Sequence, residues 1–171
     1  MATTNDKITF QGKALEVTGK ALAVGQSAPN FSLVSNEMSE VKLSDFDNKV
    51  LVISTIPSVD TPVCSIQTKK FNEEAANLGN DVVILTVSRD LPFAQSRWCG
   101  QEDVKNVQTA SDYKERTIGQ AYGTEIPSLG LLARAVFVID KNKQITHVEY
   151  VNEIAEEPNY EAAVSAIKEA I

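Results

Sequence analysis

Two apolar runs decide the fold, Val50-Leu-Val-Ile-Ser-Thr-Ile56 and Asp81-Val-Val-Ile-Leu-Thr-Val87. Each has the length of a strand and little polar alternation, which is typical of parallel strands covered on both faces. A helix is predicted to begin between them at Thr61, and Gly79 is well placed to end it. Strand, helix and strand form a βαβ unit, so the sequence predicts an α/β fold with a central mixed sheet flanked by helices. Ligands of such units bind at the carboxyl ends of the strands.

The remaining elements are predicted from alternation, turn residues and helix caps. Strands are expected at Phe31–Val34, Val41–Leu43 and Val104–Thr109, and an antiparallel hairpin at Ala135–Asp140 and Gln144–Val151. Helices are expected from Leu91-Pro92 to Trp98-Cys99-Gly100, over Tyr113–Tyr122, and over Tyr160–Ile171 with Asn159 as its cap. Ile8–Gly19 alternates on both sides of Gln11-Gly12 and predicts a β-hairpin. We therefore expect one domain over residues 1–171, with residues 1–19 as an N-terminal hairpin extension.

Composition limits the classes of function. The chain has 171 residues, 43% hydrophobic and 23% charged, which suits one globular domain. Its net charge of −7 opposes binding to a phosphate backbone, so no nucleic-acid partner is expected. The first residues lack the pattern of a signal peptide, and no apolar stretch approaches the about 18 residues of a membrane span. The sequence therefore predicts a cytoplasmic protein with no membrane partner.

Cys64 stands near the start of the predicted helix, where a thiol becomes reactive. Thr61 is a favoured N-cap and Pro62 fits the first helical position, so Cys64 is the third residue of the helix. Unpaired backbone N–H groups and the helix dipole stabilise a thiolate there relative to a thiol. Cys64 is therefore a candidate nucleophile.

The helix alone does not stabilise the thiolate enough, so a cation is expected beside it. Lowering a thiol pKa from about 8.5 to about 6 requires about 3.4 kcal/mol, whereas a helix N-terminus supplies about 0.3–1 and at most about 2 kcal/mol. Lys69 and Lys70 lie outside the positions that share a helix face with Cys64. Arg89 ends a strand and Arg134 precedes one, so either could reach the site, and spacing does not choose between them.

The second cysteine, Cys99, lies near the predicted end of a helix. In a reducing cytosol a cysteine pair is more often transient and catalytic, redox-sensing or merely buried than a structural staple. A metal site is poorly supported, because Cys64, Cys99 and the single histidine, His147, lack the paired spacing of zinc sites. His147 is expected to be an exposed strand residue.

Several motifs resemble those of a known family. Pro57-x-x-x-Thr61-x-x-Cys64 resembles the active-site motif of peroxiredoxins. The N-terminal hairpin, Arg97-Trp98-Cys99-Gly100 and Leu132–Asp140 resemble the bacterial thiol peroxidases, an atypical two-cysteine branch, and the match spans about the whole chain. The resemblance implies a thioredoxin-like fold.

The resemblance also implies an activity and the residues that perform it. Cys64 is then the peroxidatic cysteine, which attacks hydrogen peroxide or an organic (alkyl or lipid) hydroperoxide, and Cys99 is the resolving cysteine of the same subunit. Arg134 activates the sulfur and the peroxide, Thr61 donates a hydrogen bond, and Pro57 shapes the pocket. Thioredoxin reduces the resulting Cys64–Cys99 disulfide. The family forms homodimers and needs no haem, metal or flavin cofactor.

Three other classes of function are alternatives to a peroxidase. A cysteine hydrolase needs a histidine base, and His147 is the sole candidate, on a strand far along the sheet. A disulfide reductase needs a second thiol near the first, yet Cys64-Ser65-Ile66-Gln67 is not a C-x-x-C motif. A non-enzymatic peroxide sensor that uses the same cysteine pair stays open, and peroxide turnover with thioredoxin separates it from an enzyme.

Overall fold

The computed structural model describes residues 8–171, so the first seven positions of the predicted hairpin extension lie outside the described residues. The strands are β1 (Thr9–Phe10), β2 (Lys13–Ala14), β3 (Ser32–Ser35), β4 (Glu40–Lys42), β5 (Val50–Thr55), β6 (Val82–Ser88), β7 (Gln108–Ser111), β8 (Glu125–Ile126), β9 (Leu131–Leu132), β10 (Ala135–Ile139) and β11 (Ile145–Tyr150). The helices are α1 (Pro62–Ala75), α2 (Pro92–Gln101), α3 (Thr117–Ala121) and α4 (Tyr160–Ala170), with a short 3₁₀ helix at Leu43–Phe46. No helix within residues 8–171 is long and apolar enough to cross a membrane.

A mixed sheet of seven strands forms the centre of the molecule, in the order β11-β10-β5-β6-β7-β3-β4. The two apolar runs pair in parallel as predicted, with Val50 opposite Val82 and Thr55 opposite Val87. β7 runs parallel to β6, whereas β10 and β3 are antiparallel to their neighbours β5 and β7. Because α1 connects β5 to β6, the predicted βαβ unit is confirmed, and the carboxyl ends of both strands meet at one edge of the sheet.

Apolar layers cover both faces of the sheet, which is why every residue of β5 is buried. On one face, β5 belongs to a cluster that includes Phe71 of α1, Trp98 of α2 and Ile167 of α4. On the other face, the alternate residues of β5 cluster with Ile118 of α3 and with the chain before β3. Cys64 belongs to the cluster under the three longer helices. The first turn of α1 is therefore built into the core rather than onto the surface.

α1 ends earlier than predicted. It stops at Ala75, and the N–H groups of Asn77 and Leu78 then bond to the carbonyls of Glu74 and Ala75. These i→i+3 bonds tighten the chain into turns before Gly79 adopts a positive φ. Gly79 therefore ends the turns that follow the helix, not the helix itself.

The helix predicted over Tyr113–Tyr122 is reduced to α3, and the prediction was wrong for its first half. Arg116, immediately before α3, has a left-handed φ of 56°, which prevents the helix from extending towards the N-terminus. The carboxylate of Asp112 accepts hydrogen bonds from the backbone N–H groups of Ile118 and Gly119. A capping residue outside the helix thus fixes its start, and the spacing of apolar residues does not indicate such a contact.

Two strand predictions also need correction. The strand expected at Val104–Thr109 lies later, as β7, and the antiparallel pair of β8 and β9 was not predicted. The N-terminal hairpin is confirmed but is shorter than the predicted Ile8–Gly19, with strands only at Thr9–Phe10 and Lys13–Ala14. The other predicted elements are confirmed within a few residues. The N-terminal hairpin pairs Thr9 with Ala14, the last two strands pair as a hairpin, and Asn159 Oδ1 accepts a hydrogen bond from the Ala162 N–H at 3.0 Å.

His147 is half-buried rather than exposed, so the expectation for it was wrong. It lies on β11 opposite Val138, and its Nε2 atom has no hydrogen-bond partner among residues 8–171. Burial lowers the pKa of His147, although the charge of Glu149 acts in the opposite direction.

Acidification is expected to destabilise the protein in part through His147. The imidazole binds a proton less readily in the folded chain than in the unfolded one, so the unfolded state gains a proton first as the pH falls below about 6.5. The free energy of unfolding should fall further between about pH 7.5 and about pH 5.5 in the parent protein than in His147→Gln. Urea unfolding at the two pH values measures this difference, and equal losses in both proteins would contradict it.

Candidate active site

Cys64 lies in the first turn of α1, close to the carboxyl end of β5. The helix begins at Pro62 with Thr61 as its N-cap residue, so Cys64 is the third helical residue, as predicted. Its side chain is fully buried, with 0% of its surface exposed. The backbone N–H groups of this turn have no acceptor within the helix and favour a negative charge beside them.

Thr61 occupies the predicted N-cap position but does not cap the helix through its side chain. Its hydroxyl donates instead to the carbonyl of Ser58 at 3.1 Å. The backbone carbonyl of Thr61 accepts the first helical hydrogen bond, from the Ser65 N–H at 3.0 Å. The prediction is therefore correct for the position and wrong for the hydrogen bond.

Arg134 supplies the cation beside the sulfur. Its Nη2 atom donates to Cys64 Sγ across 3.2 Å, although Arg134 lies 70 residues further along the chain, immediately before β10. The arginine is 2% exposed, so solvent ions screen this contact little. This distance decides between the two arginines that spacing left open.

Neutral groups hold the rest of the Arg134 guanidinium. The carbonyl of Ile154 accepts from Nε at 3.0 Å and from Nη2 at 2.8 Å, and Gln67 Oε1 accepts from Nη1 at 2.7 Å. Gln67 is fixed in turn, because its Nε2 donates to Ser54 Oγ at 2.6 Å. Within residues 8–171 no carboxylate pairs with Arg134. Gln67 was not predicted from the sequence, although its position three residues after Cys64 places it on the same face of the helix.

Arg89 does not carry out the role of the cation at the sulfur. Its guanidinium forms a two-pronged pair with the carboxylate of Glu125, and its Nη2 also lies 3.4 Å from Asp112 Oδ2. Both acids are buried with it. Burial raises the pKa of Asp112, although backbone N–H groups and the charge of Arg89 act against this shift. The charge of Arg89 is therefore used inside the scaffold.

Asp90 holds the loop that leads into α1, and the sequence analysis missed it as well. Its Oδ1 accepts from the Ser58 hydroxyl at 2.7 Å, and its Oδ2 accepts from the Val59 N–H at 2.9 Å and from the Ser88 hydroxyl at 2.6 Å. Pro57, at the start of the same loop, is buried. The loop between β5 and Cys64 is thus fixed from beyond the neighbouring strand, because Asp90 lies two residues after Ser88, the last residue of β6.

Cys99 lies near the end of α2, where it was expected, and both cysteines are free thiols. It is partly exposed, packs against the same core cluster as Cys64, and lies 3.6 Å from the hydroxyl of Thr109. Asn36 and Thr109 line a surface cleft of about 420 Å³ together with Cys99. One thiol is therefore closed off from solvent, whereas the other borders an open cleft.

The chain is similar to known proteins over almost its whole length. Residues 23–164 match the Redoxin family. The chain is 51% identical to a thiol peroxidase of Halalkalibacterium halodurans over 164 residues, which cover 96% of this chain and 98% of that protein. It is 48% identical to a thiol peroxidase of Bacillus subtilis over 162 residues, covering 95% and 96% of the two chains. The chain belongs to the thiol peroxidases.

The solved structures agree with this family. A peroxiredoxin-like protein from Aquifex aeolicus superposes with a TM-score of 0.92 at 41% identity, over 99% of this chain and 100% of the other. The protein is thus a thiol-dependent peroxidase with a redoxin, thioredoxin-like fold, and the expected family, fold class and enzymatic class are confirmed. No cluster of three or more side chains able to hold a metal occurs within residues 8–171.

Replacing Arg134 by alanine is expected to slow the reaction of Cys64 with peroxide by more than loss of the thiolate explains. An ordinary thiol is a few per cent ionised at neutral pH, so lost ionisation accounts for at most about a 30-fold decrease. Any further decrease comes from lost hydrogen bonds to the transition state. Stopped-flow rates with a hydroperoxide, measured from neutral pH to a pH where the thiolate is complete, separate the two effects.

Arg134→Lys should recover part of the ionisation but little of the oxygen contact, because an ammonium lacks the planar fork of a guanidinium. Arg97→Ala is the matched control, since Arg97 is an exposed arginine paired with Asp60 at 3.6 Å. It should react within about twofold of the parent. If Arg134→Ala reacts as quickly as the parent at neutral pH, Arg134 is not the activating cation.

Proposed function

We propose that this protein reduces hydrogen peroxide and organic hydroperoxides through a thiolate at Cys64. The observation that carries the proposal is the 3.2 Å contact between Arg134 Nη2 and Cys64 Sγ at a helix N-terminus. The thiolate attacks one peroxide oxygen, the O–O bond breaks, and the departing oxygen leaves as water or an alcohol after it takes up a proton. Cys64 becomes a sulfenic acid, and this two-electron oxidation balances the reduction of the peroxide.

Three donors favour this step. Negative charge moves from the sulfur to the departing oxygen, so hydrogen-bond donors that face both atoms lower the barrier. Arg134 is the charged donor, and the Cys64 N–H and the Thr61 hydroxyl are the neutral ones. The Thr61 hydroxyl donates to a carbonyl in the free enzyme and can turn to a bound peroxide, since a hydroxyl hydrogen rotates freely.

The surroundings of Arg134 support this assignment. Its other hydrogen bonds go to a carbonyl and an amide, which orient the guanidinium without neutralising it. Its charge therefore acts on the sulfur and on the reacting oxygens. Pro57 and the buried setting of Cys64 limit the space beside the sulfur, which slows a second oxidation to the sulfinic acid.

In the second half of the cycle the Cys99 thiol attacks the Cys64 sulfenic acid, water leaves, and an intrasubunit disulfide forms. Thioredoxin is the proposed reductant, through a mixed disulfide. The partial exposure of Cys99 and the cleft beside it support attack by an external thiolate on this side. A cycle that depends on a cytosolic dithiol supports a cytoplasmic location.

A homodimer is also proposed. Leu91 and Phe93, at the start of α2, are 52% and 67% exposed, and Ile66 on α1 is 44% exposed. Large apolar side chains of this kind are typical of surfaces that a second subunit covers. Analytical ultracentrifugation of the parent and of Phe93→Glu tests the proposal, because a buried charge would separate the subunits.

The two cysteines should respond differently to replacement by serine. Cys64→Ser should abolish peroxide consumption, whereas Cys99→Ser should consume about one equivalent and then stop as a sulfenic acid. Mass spectrometry after one equivalent of an organic hydroperoxide, with the thiols mapped, identifies each species. Sustained thioredoxin-linked turnover by Cys99→Ser would contradict the resolving role. A parent enzyme that forms the disulfide but is not reduced by thioredoxin would contradict the proposed reductant.

Formation of the disulfide is expected to require local unfolding. Two cysteines are joined only when their Cα atoms approach within about 7 Å, and Cys64 is enclosed within a helix while Cys99 is part of another. Oxidised protein should therefore exchange amide hydrogens faster across residues 61–68 and 93–101 than reduced protein. Unchanged protection in both segments would show that the pair closes without such a movement.

A further inference from the structure

The position of Arg134 depends on a carbonyl that belongs to no helix or strand. Among the described residues, Arg134 makes four side-chain hydrogen bonds, and Ile154 accepts two of them. Ile154 lies in the connection between β11 and α4. A carbonyl in a loop can orient a guanidinium only when the loop itself is fixed. The groups that fix this loop therefore control the geometry at the sulfur.

The N-terminal hairpin holds this loop by its backbone. The Thr9 N–H donates to the carbonyl of Asn152 at 2.7 Å, and the Ile154 N–H donates to the carbonyl of Thr9 at 3.0 Å. Thr9 and Glu153 therefore form a parallel bridge, although they lie at opposite ends of the chain. Residues 152–154 thus bond to the hairpin through their backbone, and the Ile154 carbonyl bonds to Arg134.

The side chain of Glu153 adds a second attachment. Its Oε1 accepts from the Gln11 N–H at 2.8 Å, and its Oε2 accepts from the Gly12 N–H at 3.2 Å and from the Thr9 hydroxyl at 2.5 Å. Gln11 and Gly12 both have positive φ, which is the geometry of a tight hairpin turn. The hydrogen bond from Thr9, and then the one from the Gln11 N–H, lower the pKa of Glu153, so the carboxylate is charged at neutral pH.

An apolar contact completes the connection. Ile8 and Val17, on either side of the hairpin, are fully buried and cluster with Ile154 and with Ala133, the residue before Arg134. The hairpin segment thus packs against Ile154 and against the residue that precedes Arg134. Its contacts lead to the active site, although its short strands β1 and β2 form a two-stranded sheet that is separate from the central one.

We propose that the N-terminal hairpin is part of the active-site apparatus and that Glu153 is a positioning residue, which aligns the Ile154 carbonyl and through it the Arg134 guanidinium on Cys64. This inference rests on the proposed role of Arg134 in peroxide reduction. Glu153 touches neither the sulfur nor the substrate, and it acts through the loop that it fastens.

The test compares variants that weaken the attachment by different amounts. Glu153→Ala should react with a hydroperoxide about tenfold more slowly than the parent, because a small displacement of a catalytic group has a large effect on rate. Thr9→Val removes one hydrogen bond to the carboxylate and Glu153→Gln keeps part of the attachment, so both should fall between Glu153→Ala and the parent. Reduction of the preformed disulfide by thioredoxin should stay unchanged in all three.

Glu40→Ala is the matched control. Glu40 is an exposed glutamate whose carboxylate, like that of the partly buried Glu153, accepts a hydrogen bond from a hydroxyl, that of Ser32 at 2.8 Å, but it lies on β4, at the far edge of the sheet. Urea unfolding of Glu40→Ala and Glu153→Ala measures any loss of stability. Glu40→Ala should keep the peroxide rate of the parent.

A double-mutant cycle separates positioning from a merely structural role. In the Arg134→Ala background, Glu153→Ala should slow the peroxide step by less than about twofold, because the group that it positions is already gone. A further tenfold decrease in that background, or a peroxide rate of Glu153→Ala equal to that of the parent, would overturn the inference. A parent-like rate for Arg134→Ala alone would instead overturn the proposed role of the arginine, and the inference with it.

Discussion

The hydrogen bond between Arg134 and Cys64 is the constraint on which the active site depends. A buried guanidinium loses its hydration, and that loss is offset only when its donors find acceptors and its charge finds a counter-charge. Ile154 and Gln67 provide neutral acceptors for Arg134, and within residues 8–171 no carboxylate pairs with it. The sulfur is the group in direct contact with Arg134 that carries a negative charge when it is ionised, and the charge of Arg134 also acts on the Glu157 carboxylate.

The two buried arginines show how the identity of the partners decides what a charge does. Arg89 is enclosed by Glu125 and Asp112, and these carboxylates neutralise its charge. The ion pairs link the ends of β6 and β7 to β8, and Asp112 also bonds to the start of α3. A Cβ at Gly119 would collide with the Glu125 carboxylate and with Arg89 Nη2, so a larger residue there would displace this ion pair. Arg134 has the same burial and the opposite outcome, because carbonyl and amide oxygens replace the carboxylates. One arginine stabilises the scaffold, and the other remains available for chemistry.

The parts of the structure that local signals determine were predictable from the sequence. Apolar runs indicated the central strands, and the cap-proline-cysteine order placed Cys64 in the first turn of α1. The failures concern contacts between distant parts of the chain. Asp112 shortens α3 from outside it, Asp90 fixes the loop before α1 from the next strand, and Gln67 reaches Arg134. Side-chain contacts of this kind follow from tertiary packing, which spacing within a single element does not encode. The choice between Arg89 and Arg134 belongs to the same class, because it depends on where two carboxylates lie.

The two thiols also differ in how firmly their helices are held, and this difference indicates which cysteine moves more easily. The start of α1 is fixed by Arg134 at the sulfur and by Asp90 at the preceding loop. α2 is anchored at its middle, where Gln95 Nε2 donates to Ser88 Oγ at 2.9 Å and to the Ala110 carbonyl at 3.0 Å. Beyond Cys99 the helix is exposed and soon ends.

A short, solvated helix end opens at a lower free energy than a buried helix start. Since Ser88 also bonds to Asp90, the anchored part of α2 and the loop before Cys64 share one hydrogen-bond network. The end of α2 is therefore expected to open first and to move Cys99 towards the proposed sulfenic acid, and the more firmly held start of α1 opens as the disulfide forms.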